Sequence, residues 1–337
     1  MKDIIISHTE VEFQLIMLIQ FTITKAGSQD NRVTILYHAH VIINPTAGAG
    51  KTAKLWPQIC ELLRRIDLDF NYTITEAPQH AVEITRTNAI EGCRFFIPVG
   101  GDGTISEVVN GLYQANCLVE SIVGIVCTGT GADYIRTLGI PRSFRDACLL
   151  LREPKTCQVD VGVVDYVDHG RAIKRLFVNF AGLGFDAEIV RAVNITFKAV
   201  GAMPSYFMGL LSTLVQYKNK EISVIIDGRV EKQKIVTLLM GQGKYAGGGM
   251  MTTPNADLCD GLFDMLTVHD MSKLDLLWSL PRIYRGTHLT HPKVTLNRVS
   301  EVEVLAKGTI CIQADGDIIG EAPARFSVLP AALNVVI

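Results

Sequence analysis

The sequence has no surplus of either charge: 32 lysines and arginines stand against 34 aspartates and glutamates, a formal net charge of −2 at pH 7. Such a chain lacks the basic footprint that draws proteins to polyanions in bulk, so no nucleic-acid partner is expected. It also lacks any Cys-x-x-Cys pair. Its eight cysteines (Cys60, Cys93, Cys117, Cys127, Cys148, Cys157, Cys259, Cys311) are scattered, most of them inside apolar runs such as Val123–Cys127. That spacing argues against a zinc site or a secreted disulfide framework and reads as reduced thiols in a cytoplasmic protein. Nor is there a run of the ~20 apolar residues that a bilayer span needs. The longest near the start, Val11–Thr24, is broken by Glu12 and Gln14 and has no basic segment before it, so a soluble chain is expected. No internal repeat or low-complexity tract is present.

What is present is ample apolar material, 48% of 337 residues, which excludes disorder. At ~150 residues per domain the length suggests two domains. The expected division is an N-terminal extension over 1–33, unlike anything that follows it, a nucleotide-binding domain over 34–154, and a second domain over 155–337.

In the first half, strand-like runs alternate with helical periodicity. Tyr37–Asn44, Asn71–Thr75, Arg94–Val99 and Ile122–Cys127 read as buried strands. Lys51–Ile66, with Trp56, Ile59, Cys60, Leu63 and Ile66 on one face, reads as a helix, as do His80–Ile90 and the stretch carrying Ile105, Val108, Val109 and Leu112. Asp133–Leu138 and Phe144–Leu151 add two more. This alternation implies a parallel sheet with helices on both faces. After Pro154 the runs become mostly strand-like and closely spaced: Thr156–Asp165, Ala172–Phe180, Ile222–Asp227, Ile235–Met240, Phe263–His269, Lys293–Leu296, Val302–Leu305, Thr309–Gln313 and Arg325–Leu329. Helical islands fall at Ala187–Gln216 and Lys273–Arg285. The expected fold class is therefore α/β plus β, a parallel-sheet domain followed by an antiparallel β-sandwich with inserted helices.

Three glycine-rich segments each follow a strand of the first half, where the carboxyl ends of parallel strands and helix N-termini bind ligands. Asn44-Pro45-Thr46-Ala47-Gly48-Ala49-Gly50-Lys51 resembles a P-loop, but Pro45 stands where that pattern wants glycine. Small residues still let backbone amides approach phosphate oxygens; a plain strand-to-helix turn is the alternative. Pro98-Val99-Gly100-Gly101-Asp102-Gly103-Thr104 places three glycines around an acid, which is costly in backbone entropy unless close approach is needed. There Asp102 suits magnesium-bound water or a nucleotide hydroxyl, and Thr104 suits a helix cap or a phosphate contact. Thr128-Gly129-Thr130-Gly131-Ala132-Asp133 supplies another acid, either a helix cap or a partner for a hard cation.

These segments resemble those of the diacylglycerol kinase catalytic-domain family, which includes bacterial soluble lipid kinases and the sphingosine kinases. The Gly100–Thr104 motif is shared with NAD kinases. The lipid branch is favoured by Asn44–Gly50, Phe177–Asp186, Asn255–Gly261 and Ala314-Asp315-Gly316-Asp317, in the family's order from Val41 to the C-terminus. The resemblance implies an ATP- and Mg²⁺-dependent lipid kinase. Asn44, Pro45, Thr46, Ala47, Gly48, Thr75, Gly101, Asp102, Gly103, Thr104, Glu107 and Thr130 would line the ATP site, with Asp102 and Asp133 in the network around Mg²⁺. Asp315 would be the general base, and Asp317 a further acid where relatives usually carry Glu. Asp257, Asp260 and Leu262 would form a structural metal site, Asp260 through its carboxylate and the others through backbone carbonyls. Ala132 departs from the family's usual Asn. From local sequence alone, Asp315-Gly316-Asp317 reads rather as an ordinary hairpin turn between Thr309–Gln313 and Arg325–Leu329, and it is the resemblance that assigns it to the site.

The acceptor implied is a lipid alcohol met at a membrane surface by transient peripheral contact, diacylglycerol being the leading case. Ala202–Leu211, rich in Met, Leu and aromatics, is a candidate for its chains or else ordinary core, with Lys198, Lys218 and Lys220 as flanking cations. Lys244–Gly249 reads as a glycine-rich loop beside the cleft. His288 and His291, without the spacing of a zinc helix, are not taken as ligands. A homodimer is compatible with the sequence. The rival readings are an NAD kinase-like enzyme acting on a soluble hydroxyl and a non-catalytic nucleotide- or lipid-binding relative.

Overall fold

A computed structural model describes residues 38–193 and 210–337. The expected 1–33 extension, Lys198 and most of Ala202–Leu211 lie outside the described residues.

The first half runs β1 (Ala39–Ile43), α1 (Lys51–Arg65), β2 (Phe70–Ile74), α2 (His80–Ile90), β3 (Phe95–Gly100), α3 (Asp102–Gln114), β4 (Ile122–Val123), β5 (Val126–Cys127), α4 (Asp133–Leu138) and α5 (Phe144–Leu150). β1 pairs in parallel with β2 and β3, and β3 pairs in parallel with β4 and β5. The period-2 alternation of a strand explains the two helical layers. Ala39, Val41, Ile43, Phe95, Ile97 and Val99 point to the face where α1 buries Ile59 and Leu63. Ile42 and Phe96 point to the opposite face, against Ala81 and Ile84 of α2 and Val108 and Leu112 of α3. The single strand expected at Ile122–Cys127 is broken into two at Gly124–Ile125. There the chain passes so close beneath α5 that a Cβ on Gly124 would lie 2.4 Å from Leu151.

The second half contains β6 (Thr156–Asp168), β7 (Arg171–Phe177), β8 (Phe180–Gly184), α6 (Phe185–Ala192), β9 (Lys220–Ile226), β10 (Arg229–Gly241), β11 (Tyr245–Ala246), β12 (Met250–Met251), β13 (Phe263–His269), α7 (Lys273–Ile283), a 3₁₀ turn at Thr287–Thr290, β14 (Val294–Val299), β15 (Glu301–Ala306), β16 (Cys311–Ala314), β17 (Asp317–Glu321) and β18 (Ala324–Val336). Pairing here is antiparallel, with β10 at the centre: its first part pairs with β9 and its last five residues lie between β8 and β13. The stacked rings of Phe177 and Phe263, 5.5 Å apart, mark this core.

The run expected as one strand over Ala172–Phe180 ends at Phe177 and restarts as β8. The backbone amides of Val178, Asn179 and Phe180 turn away from a ladder to the Asp315 carboxylate. β17 was not expected at all, because Asp317–Glu321 reads locally as the tail of a turn. The last strand, β18, does double duty. It pairs antiparallel with β6 along its length and with β15 over Ala324–Ser327, while Asn334–Val335 pairs in parallel with Ile122–Val123 of β4 on the other side. The C-terminus thereby completes the sheet of the first half.

Candidate active site

The three glycine-rich loops meet at the carboxyl ends of β1, β3 and β5, and side chains stitch them together. Asn44 Nδ2 donates to Thr104 Oγ1 (3.1 Å), while Asn44 Oδ1 accepts from Thr46 N (3.2 Å) and Thr46 Oγ1 (2.9 Å). Thr52 Oγ1 and Thr128 Oγ1 lie 2.5 Å apart, joining the first loop to the third. The Asp102 carboxylate accepts from Asp133 N (3.4 Å) and Tyr134 N (3.2 Å), joining the second loop to the third.

These bonds reassign two caps. Thr104 does not cap α3, whose N-terminus has no side-chain cap; its hydroxyl faces Asn44. Asp133 does not cap α4 either; Asp102 does so from the neighbouring loop.

The glycines divide by what surrounds them. A Cβ on Gly129 would fall 2.6 Å from Gly101 Cα, one on Gly48 2.6 Å from Thr128 O, and one on Gly131 2.9 Å from Asp102 Oδ2. Gly48 further has φ 61°, which disfavours a side chain. These three let the loops touch. A Cβ on Gly103 meets no atom within 4 Å beyond its own stretch of helix. It opens instead onto a cavity of about 730 Å³ that all three loops line.

Burial sets the electrostatics. It pushes Asp102 above the usual carboxylate range and Asp133 up to about 6, the latter reinforced by the neighbouring Asp102 and opposed by the Gly248 amide at 2.7 Å. Asp133 Oδ1 is buried with no hydrogen-bond partner, Arg136 Nη1 standing 3.6 Å off. Two adjacent desolvated carboxylates with an orphaned oxygen are the donor set a hard divalent cation takes, so these residues fit Mg²⁺. Glu107, also raised by burial, accepts from Ala81 N at the start of α2 (3.2 Å).

Asp315 enters the same cavity from the other half of the chain. It occupies, with Gly316, the two-residue turn between β16 and β17, with φ 47° and 86°; Asp-Gly is the pair such a hairpin turn prefers. The turn and the site are thus one object. Asp315 Oδ2 accepts from Val178 N (2.8 Å), and Oδ1 accepts from Asn179 N (3.0 Å) and Phe180 N (3.1 Å). Burial raises its pKa, while these amides and the Ser106 hydroxyl hold it down.

Beyond Asp315 the cavity turns apolar, walled by Phe185 and Ile189 of α6, Val236 and Leu239 of β10, and Leu276 and Leu280 of α7. At the junction sits a polar cluster that sequence reasoning missed. Asp186 Oδ1 accepts from Thr237 Oγ1 (2.6 Å) and Oδ2 from Gln313 Nε2 (3.1 Å); Gln313 Oε1 in turn accepts from Gly316 N (3.1 Å). Burial pushes Asp186 up to about 6. Asp186 lies within the Phe177–Asp186 motif, but nothing local in the sequence pairs it with Gln313. Arg175 was also missed, because a cation in an alternating strand reads as a solvated face. It donates to Gln79 Oε1 (2.9 Å) and lies 3.5 Å from Asp317.

Of the sequence-predicted residues, the cavity gathers Asn44, Thr46, Ala47, Gly48, Thr75, Gly101, Asp102, Gly103, Thr104, Glu107, Thr130, Asp133, Asp315 and Asp317. Pro45 does not line it. Asp257, Asp260 and Leu262 lie outside it as well. There the Asp260 carboxylate is ion-paired with Arg298 and accepts from Leu262 N (2.9 Å), and Asp257 accepts from Cys259 N (3.1 Å). From the Ala202–Leu211 stretch, Leu210 reaches the apolar wall. The Lys244–Gly249 loop borders the cavity and anchors Asp133 through Gly248.

Residues 38–164 match the model of the diacylglycerol kinase catalytic domain, and residues 179–337 match that of the YegS C-terminal NAD kinase beta sandwich-like domain. A diacylglycerol kinase of Staphylococcus carnosus is 26% identical over 297 residues, 88% of this chain and 94% of its own length. One of Mycobacterium tuberculosis is 28% identical over 296 residues, 87% of this chain and 93% of its own. Among solved structures, that of a diacylglycerol kinase from Bacillus anthracis has a TM-score of 0.66 at 20% identity, over 90% of this chain and 97% of that one. The class thus defined is lipid kinase, a phosphotransferase with an alcohol acceptor. The chain belongs to the diacylglycerol kinase catalytic-domain family.

Proposed function

We propose that this protein transfers the γ-phosphoryl group of ATP to the hydroxyl of diacylglycerol or a related neutral lipid alcohol, with Mg²⁺, in transient contact with a membrane. One observation carries the reading: a single cavity runs from phosphate-sized loops, past a buried carboxylate, into an apolar chamber. A soluble acceptor such as NAD has no use for that chamber.

The loop amides and the N-termini of α1 and α3 receive the triphosphate, with the open side of Gly103 giving backbone-close approach. Asp102 and Asp133 would hold Mg²⁺, which when bound neutralises charge developing on the phosphate oxygens. The chamber takes the acyl chains and so brings the hydroxyl to Asp315. The Asp315 carboxylate, fixed by three backbone amides, accepts the hydroxyl proton as the oxygen bonds to the γ-phosphorus and the bond to the ADP oxygen breaks. Its raised pKa makes it a better base than an exposed aspartate.

The test is labelled ATP and Mg²⁺ with the purified protein, a panel of lipid vesicles and NAD, the products read by mass spectrometry. A phosphorylated lipid is expected; transfer to NAD alone would end the lipid reading. Asp315→Asn should lower turnover by ~10²–10⁴-fold with ATP affinity retained. A variant as active as the parent would remove Asp315 from the chemistry.

A further inference from the structure

Helix α7 is apolar on both sides. Leu276, Leu280 and Ile283 face the chamber, with Ser279 beside them. Leu274, Leu277 and Trp278, at i, i+3 and i+4, face outward and are 71%, 40% and 82% exposed. None of its eleven residues is fully buried. Its inner side packs on the core at Leu276 and Leu280, whereas its outward apolar side chains are left exposed among the described residues, and an apolar helix face of that kind belongs against a core or in lipid.

The outward face is not isolated. Lys273 Nζ donates to Val215 O (2.6 Å) and Asn219 Nδ2 to Met271 O (3.0 Å), which sets the helical stretch 210–216 beside α7. That stretch adds Leu211 and Val215, the latter 73% exposed. Along the chain these segments carry or are flanked by Lys218, Lys220, Lys273, Arg282 and Arg285, against Glu221, Asp275 and Asp270, the last already paired by Lys234 at 3.2 Å. The patch is therefore cationic on a chain whose net charge is −2.

We propose that the outward face of α7 and the neighbouring 210–216 stretch dock on an anionic phospholipid bilayer. Trp278 and the leucines enter the interfacial layer, and the lysines and arginines meet lipid phosphates. The inference rests on the lipid-kinase reading above and adds the surface that reading leaves open. Two features select a bilayer as the occupant. The cations complement an anionic leaflet, and the same helix walls the chamber, so docking sets the chamber's apolar wall against the layer that holds the substrate. Tryptophan is the residue that favours the boundary between acyl chains and water.

The test uses the full chain with Trp56→Phe, which leaves Trp278 as the sole indole. In vesicles of 30% phosphatidylglycerol in phosphatidylcholine, Trp278 emission should shift to the blue and be quenched by brominated acyl chains. Binding should weaken at least tenfold in pure phosphatidylcholine or in high salt. Leu274→Ser/Trp278→Ser, made in the parent chain, should lose at least tenfold in vesicle affinity and in turnover of vesicle-borne diacylglycerol. Turnover of dioctanoylglycerol below its micellar threshold should stay at the parental level, which shows the variant folded.

Unchanged Trp278 emission with vesicles, or equal vesicle binding by the double variant, overturns the proposal. So does a dimer that the double variant dissolves, which would make the patch an interface between copies. Shielding of Trp278 from acrylamide in the vesicle-free monomer also overturns it, since another segment of the chain would then cover the patch. Vesicle binding through Trp278 without phosphorylation of any lipid would sink the kinase reading and leave the docking surface standing. Lipid phosphorylation without Trp278 burial would do the reverse.

Discussion

Asp133 and Asp186 are each held near pKa 6 by burial, against 3.8 for a free side chain. Between those two values the folded protein binds more protons than the unfolded chain, so both groups make stability fall as pH rises from about 4 to about 6. A divalent cation reverses this for Asp133, because only the ionised form binds it. Mg²⁺ with a nucleotide should therefore raise the melting temperature at pH 7.5 and do so less at pH 5.5, where protons compete. Asp133→Asn should lessen the pH dependence of melting, leaving the share of Asp186, and abolish the Mg²⁺ increment at pH 7.5. An undiminished increment in scanning calorimetry would remove Asp133 from the cation's shell. At the same scale, Ala132 adopts φ 55°, ψ 36°, a left-handed conformation that asparagine tolerates better than alanine. Where the resemblance implies asparagine, alanine thus brings backbone strain as well as a missing amide.

At the scale of elements, the loop glycines make two opposite predictions. Gly129→Ala drives a Cβ to 2.6 Å from the Gly101 backbone, which has no flexible end to yield. It should cost ~1–3 kcal/mol and pry the second and third loops apart. Gly103→Ala meets nothing beyond its own stretch of helix and lies in the first turn of α3, so the melting temperature should hold or rise by the equivalent of ~0.5–1 kcal/mol. The KM for ATP should nevertheless rise at least tenfold, because the space filled is the one kept for phosphate. Thermal melts beside steady-state kinetics separate the two; a Gly103→Ala enzyme with the parental KM would show that nucleotide does not approach there.

The whole molecule depends on its last residues. Leu333, Val335 and Val336 are buried, the first two in one helical layer's core and the third in the other's. Their strand pairs with β4 of the first half and β6 of the second. Burying an aliphatic side chain contributes ~1.5–3 kcal/mol, so losing three removes a large share of the ~5–15 kcal/mol that holds a domain folded. Truncation after Ala332 should abolish cooperative unfolding in calorimetry. A truncated chain that melts at the parental temperature would mean that the last residues of β18, Leu333–Val336, are dispensable to the first half.

What the sequence determined by itself is what depends on neighbours within a few residues. Hydrophobic period placed α1, α2, α4, β1 and β13 to within two residues, and the glycine-rich segments marked the phosphate end of the site. The Asp-Gly pair at 315–316 was legible as a tight turn from its own chemistry. Tertiary structure decided where that turn goes. The amides of Val178–Phe180 break an expected strand to hold Asp315, and they lie more than 130 residues away along the chain. The Asp186–Gln313 bond joins residues 127 apart. Contacts of that range leave no periodic trace, because each partner's local pattern is that of an ordinary strand or turn. The outward face of α7 belongs to the same class. Its sequence announces a helix, and only the packed chain shows that one side looks onto the chamber and the other onto water.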